Sequence, residues 1–362
     1  MSNVVSDHPY RSLPEAAFWR RAVAGKGPAI DPVAGGFLSL GREDRVATAG
    51  SCFAQNIARY LKRSGFNYMV SETAHPIVPA DVAERHGYGL YSARYGNIYT
   101  ARQLLQLFDR AYGRFAPVEA IWEAPGDGGR LVDAFRPTIE PGGYASEAEL
   151  VADRTHHFAR VREMFETLDL FVFTLGLTEG WESKVDGAVY PVCPGVSGGA
   201  FDPDRHRFHN FRVGEVTADL ATFIARLREV NPTARIILTV SPVPLVATAS
   251  GHHVLAATTY SKSVLRAAAQ EIAEDHEGVF YFPSYEIIMG APAAARYFAE
   301  DLRNVTEEGV AHVMTVFLRH AAGVDLPPPA AVTAEASDAT TDAAKEWVQV
   351  MCDEALLDAG DD

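Results

Sequence analysis

The chain has 362 residues, with 32 Lys plus Arg against 47 Asp plus Glu, a formal net charge of −15. That balance argues against a nucleic-acid partner, whose phosphates require a basic face, and against docking on anionic lipid. At 48% hydrophobic and 22% charged residues, the composition is that of a globular chain with room for a sizeable core, not a disordered one.

The longest apolar run, 168–177, is broken by Asp169 and is too short to span a bilayer. The opening MSNVVSDHPYRSLPEAAFWRR has no apolar stretch behind a basic start, so no secretory leader is expected and the cytoplasm is the expected location. Cys52, Cys193 and Cys352 are spaced for neither a zinc site nor a disulfide framework.

Residues 1–45 read as an N-terminal extension packing on the core, with Phe18 and Trp19 anchoring a short helix. A strand follows at 45–49 and runs through Gly50-Ser51-Cys52 into a helix with Phe53, Ile57, Tyr60 and Leu61 on one stripe, stopped by Gly65. Residues 76–100 read as an irregular loop, and Thr100 as the N-cap of a helix. A Gly/Pro-rich excursion with a hairpin covers 117–147, and a helix 147–167. The run 170–175 is a strand buried on both faces, ending in Gly176-Leu177-Thr178-Glu179. A long loop spans 184–212. It is followed by a helix at 217–230, a strand at 235–240, a helix at 260–275, a strand at 279–282 and a helix at 306–321. Residues 325–362 read as a Pro/Ala-rich linker with a short acidic helix near Lys345–Leu357.

Helices alternating with buried strands point to an α/β domain over 46–324 with a mainly parallel central sheet. In such sheets functional groups gather past the carboxyl ends of the strands, here Ser51, Gly176–Glu179, Ser241 and Ser284. Ser51 leads. At a strand-to-helix turn its hydroxyl projects at the sheet edge, near helix N–H groups that can stabilise an oxyanion. The plainer reading of such a serine is an N-cap. His75 and His209, in the long loops, are candidate substrate contacts or bases, against the commoner role of a loop histidine bonded to backbone. The neighbouring pairs His156-His157 and His252-His253 chelate poorly because adjacent side chains diverge. His206 and His209 lack a third ligand, so no metal is expected. Neither a phosphate-cradling loop nor a dinucleotide fingerprint occurs, so no nucleotide cofactor is expected. Lys262 opens a helix either as a solvated charge or at the site edge, and Cys52 reads as a packing residue.

The string Ala49-Gly50-Ser51-Cys52-Phe53-Ala54 resembles the signature of the GSCFA family, a branch of the SGNH hydrolase superfamily. Similar to that family are also 95–100 (YGNIYT), 173–179 (FTLGLTE), 239–244 (TVSPVP), 260–262 (YSK) and 281–286 (YFPSYE). The resemblance implies a three-layer α/β/α flavodoxin-like fold and Ser51 as nucleophile. It further implies oxyanion donors from Gly96 and an asparagine, whose usual place is taken here by Thr178, so that Asn97 or Asn210 could supply it through space; the backbone N–H groups of Ser51 and Gly96 are the pair expected to hold the oxyanion. Glu179 is a candidate substrate-binding carboxylate. The superfamily's Asp-x-x-His motif matches Asp301-Leu302-Arg303-Asn304, with Asn304 where the general base belongs. An amide has no proton affinity near neutrality. The expectation is therefore an SGNH-type serine esterase or O-acyltransferase, without cofactor, acting on a small-molecule or saccharide ester and impaired at Asn304. The alternative is a binding protein on the same fold that no longer turns over.

Overall fold

The structure is a computed structural model and describes residues 8–34, 37–126, 128–293 and 295–324. The expected linker and acidic helix of 325–362, with Cys352, lie outside the described residues. The strands are β1 (Val46–Gly50), β2 (Ile121–Glu123), β3 (Leu131–Asp133), β4 (Leu170–Leu175), β5 (Glu179–Ser183), β6 (Val189–Tyr190), β7 (His206–Asn210), β8 (Arg235–Val240) and β9 (Val279–Phe282). The α-helices are α1 (Trp19–Ala22), α2 (Phe53–Arg63), α3 (Ala80–Arg85), α4 (Ala101–Ala111), α5 (Glu147–Thr167), α6 (Val213–Val230), α7 (Val254–Asp275), α8 (Ser284–Met289) and α9 (Glu307–Ala322). They divide into two compact units: residues up to Ser39 join those from Pro283 onward, and Leu40–Phe282 form the body.

The body is built on a parallel four-stranded sheet in the order β1-β4-β8-β9. Tyr68 bridges Val46 in parallel on the outer side of β1. Counting that edge position, the order is the flavodoxin-like 2-1-3-4-5. Right-handed crossovers then fix the layers. The crossover from β1 to Tyr68 runs one way and carries α2. The crossovers to β4, β8 and β9 run the other way and carry α4 to α7 on the opposite face. The result is the expected three-layer α/β/α arrangement. β4 is fully buried along its length, as a central strand covered on both faces must be. Phe171 of β4 meets Phe165 of α5 and Phe223 of α6, both at 5.6 Å between ring centroids, and Phe108 of α4 lies 5.4 Å from Phe165.

The helices start where the caps dictate. Thr100 and Gln103 form a reciprocal capping box on α4. The Ser146 side chain accepts the Glu149 N–H at the head of α5.

Three expectations fail. The stretch 76–100 carries the short helix α3 (Ala80–Arg85) and is not wholly a loop. The stretch 184–212 is no loop: β5 pairs antiparallel with β6 and β7 in a small second sheet. Its strands are short and rich in Gly, His and Pro neighbours, which hid their period-2 pattern. Trp19 is 68% exposed and α1 buries nothing, so it is no anchor. A four-residue helix presents too little face to bury an indole. In the N- and C-terminal unit, the tie is polar instead: Asp31 pairs with Arg319 and His320 of α9, and Tyr297 Oη donates to the Pro28 carbonyl.

Candidate active site

The strand order reverses between β1 and β4, which is where open α/β sheets place their ligands. Backbone hydrogen bonds stitch the strand ends there. Ser51 N–H donates to Thr174 O (3.2 Å), and Ser241 N–H to Leu175 O (2.8 Å). A loop lies across both ends: Ile98 N–H donates to Gly50 O (2.9 Å), while Gly176 and Leu177 N–H donate to Tyr99 O. Gly50 adopts φ +139°, and a Cβ there would stand 2.3 Å from Thr174 O. Only glycine lets the chain turn this close to β4.

Ser51 differs from the expectation in two ways. It is 3% exposed, so its hydroxyl is enclosed rather than projecting at an edge, because the 95–100 loop closes over the strand ends. Its N–H is also committed to Thr174, so it is no oxyanion donor. Yet the hydroxyl does not cap α2. Cys52 holds the N-cap position, with no side-chain cap bond, and Ser51 Oγ is buried without a hydrogen-bond partner. The N-cap reading therefore fails. Buried hydroxyls without partners are rare and call for an explanation.

Gly96 sits in the same loop at φ +72°, half-buried, with open space where a Cβ would be. Its N–H donates to nothing among the described residues. Asn97 is buried, and its carbonyl accepts from Tyr91 Oη at 3.2 Å. Past the end of β4, Thr178 Oγ1 donates to Asn210 Oδ1 at 2.7 Å, which leaves Asn210 Nδ2 without a partner among the described residues. Glu179 and Asn210 are register partners between β5 and β7. Burial raises the pKa of Glu179, against the stabilising bond from Thr248.

α7 holds this turn from behind. Ser261 Oγ accepts the Thr178 N–H at 2.9 Å, and Lys262 Nζ donates to Gly176 O at 2.5 Å. Lys262 is 2% exposed, so it is not a solvated charge: the carbonyl at the strand end draws the ammonium inward. Of the histidines, His75 is exposed and its Nδ1 accepts the Ile77 N–H, the backbone-bonded role. His209 lies between Glu215 (Nε2, 2.9 Å) and Glu182 (Nδ1, 3.6 Å), so both ring nitrogens are engaged. Ser284 opens α8 in the terminal unit, fully buried.

Asp301 and Asn304 belong to that terminal unit. Asp301 Oδ1 accepts the N–H groups of Arg303 (3.0 Å) and Asn304 (2.9 Å), and Asn304 Nδ2 donates to Asp301 Oδ2. Burial works against the Asp301 carboxylate, but these donors together hold its pKa below the usual range. Leu302, between them, is in the left-handed region at φ +51°. The Asn304 amide thus donates to the aspartate and carries no group that takes a proton near neutrality.

The sequence reading missed His157. It is buried, with Nδ1 2.7 Å from Glu72 Oε2 and Nε2 unpartnered. Its place inside α5, beside the exposed His156, was the only local signal. No helix among the described residues is long and apolar enough to cross a membrane.

A search of curated proteins finds no match. The GSCFA family matches over residues 45–317, a span that takes in Ser51, the covering loop, the β4 turn and Asp301–Asn304. The chain belongs to the GSCFA family.

Proposed function

We propose that the protein carries out serine-dependent acyl transfer on an ester, as a member of the SGNH hydrolase superfamily. The observation that carries this reading is the Ser51 hydroxyl, which is enclosed at the switch point of the sheet, bonded to nothing and capping nothing. A group kept unpaired there suits a nucleophile awaiting a reaction partner. Ser51 Oγ adds to the ester carbonyl as its proton passes to a base, which returns that proton to the leaving oxygen so that the alcohol departs. The same base then takes the proton of water or a second hydroxyl as it attacks the acyl-serine, and gives it back to Ser51 Oγ as the acyl group leaves. Gly96 N–H and Asn210 Nδ2, both open donors, take the oxyanion role, with Thr178 orienting Asn210. This replaces the expected pair of Ser51 and Gly96 N–H groups. Asp301 orients residue 304.

With asparagine at 304 no base stands in the expected place, and turnover in the chain as it stands is low. The substrate is a small-molecule or saccharide ester, and the setting is the cytoplasm. The second reading, a binding protein that no longer turns over, draws on the Asn304–Asp301 bond, which occupies the aspartate with a group that cannot take a proton. Short-chain aryl ester turnover separates them. The catalytic reading expects Asn304→His to raise turnover by at least 10-fold and Ser51→Ala to abolish the gain. No gain with a folded Asn304→His protein favours the binding reading.

A further inference from the structure

The body holds a second constellation that acyl transfer does not use. A cavity of about 30 Å³ lies between α4, α5 and the 95–98 loop, with Arg110, His157 and Phe135 among its walls. Such a volume holds a water or a small ion, not an ester substrate. Arg110 is 8% exposed, yet its guanidinium makes no hydrogen bond among the described residues. It stacks over Phe135 at 3.7 Å and comes no closer than 3.8 Å to Asp133. That carboxylate is shared with Arg136 (3.2 Å) and Arg154 (3.0 Å), three guanidinium groups around one anion. Burial, against the pull of Asp133, lowers the Arg110 pKa to about 9. A buried planar fork whose N–H groups make no hydrogen bond is a carboxylate- or phosphate-type receptor.

His157 adds a second requirement. Burial keeps it neutral, and its Nδ1–H is committed to Glu72, so the unpartnered Nε2 is an acceptor. The charges around the cavity balance, with Arg94, Arg110, Arg136 and Arg154 facing Glu72, Asp133, Glu140 and Asp153, so Arg110 lacks hydrogen-bond acceptors rather than countercharge.

We propose that this cavity binds a small oxyanion that carries a hydroxyl, with two oxygens on the Arg110 fork and the O–H donating to His157 Nε2. Bicarbonate and hydrogen phosphate both have this chemistry. The site backs the loop whose Ile98 N–H holds Gly50, but its existence does not depend on Ser51 being a nucleophile.

The test is thermal unfolding of the full chain at pH 7.5 in bicarbonate, inorganic phosphate, sulfate or chloride at matched ionic strength. In parallel, imidazole ¹⁵N signals are recorded, with His157 assigned by its loss in His157→Gln. Saturable stabilisation by bicarbonate or phosphate, a shift of the His157 Nε2 signal and a loss of affinity of at least 10-fold in Arg110→Gln support the site, and the two arms show which anion fits. Arg110→Lys, which keeps charge but loses the fork, is expected to bind at least 10-fold more weakly. Equal stabilisation by sulfate or chloride, or no saturable effect with an unmoved His157 signal in the wild-type chain, overturns it.

Discussion

Replacing Ser51 by alanine is expected to make the protein more stable, the opposite of the usual effect at a buried position. Ser51 Oγ has no hydrogen-bond partner, so the substitution removes no bond and relieves a desolvated polar atom, worth about 1–3 kcal/mol. Against this stands the loss of one atom's dispersion contacts, at about 0.1–0.2 kcal/mol per pair. The net is about 1 kcal/mol in favour of Ser51→Ala. For a body of this size that raises the melting temperature by roughly 2 °C. Urea unfolding at pH 7 reads it directly, as an increased midpoint at unchanged slope. A midpoint that falls would show that the hydroxyl has a partner in solution, and the argument that it is held free for a substrate would fail.

Gly50→Ala is expected to lose several kcal/mol or not to fold, since the new methyl would meet Thr174 O at 2.3 Å with φ at +139°; a soluble variant with unchanged urea midpoint contradicts the close approach. Lys262→Met leaves Gly176 O without the buried ammonium and is expected to cost about 1–3 kcal/mol, together with a loss of any ester turnover seen in Asn304→His. Acid should weaken the fold from near pH 6.5 downward. Burial and Arg136 lower the His157 pKa to about 4, and the His157 bond, its charge and that of Arg136 hold Glu72 at about 2 despite burial. The unfolded chain therefore takes up each proton at higher pH than the folded one. Stability is complete above 6.5, falls between 6.5 and 4 through His157, and falls further between 4.5 and 2 through Glu72. Urea midpoints at pH 7.0 and 5.0 should differ less in His157→Gln than in the wild type, and equal differences would refute the assignment.

The parallel sheet was readable because its strands are continuous apolar runs and its helices carry strong caps: Thr100, Ser146 and the stop at Gly65 sit where local chemistry puts them. That Ser51 stands between a strand and a helix followed from the same logic, but its enclosure did not. What hides from sequence is contact between distant segments. Nothing in the string around residue 98 says that this loop covers Ser51. Thr178 reads as a lost donor until β7 brings Asn210 beside it, and Lys262 reads as solvated until the β4 turn offers it a carbonyl. Arg110 and His157 look like ordinary helix residues, because burial without a partner is a property of packing and not of spacing.

The most direct test of the central claim is covalent trapping. The Asn304→His protein is treated with a fluorophosphonate, digested and mapped by mass spectrometry. The account expects a single phosphonyl adduct on the peptide containing Ser51, absent in the Asn304→His/Ser51→Ala double variant and formed far more slowly with asparagine at 304. An adduct on another serine, or no adduct in a folded Asn304→His protein, contradicts it.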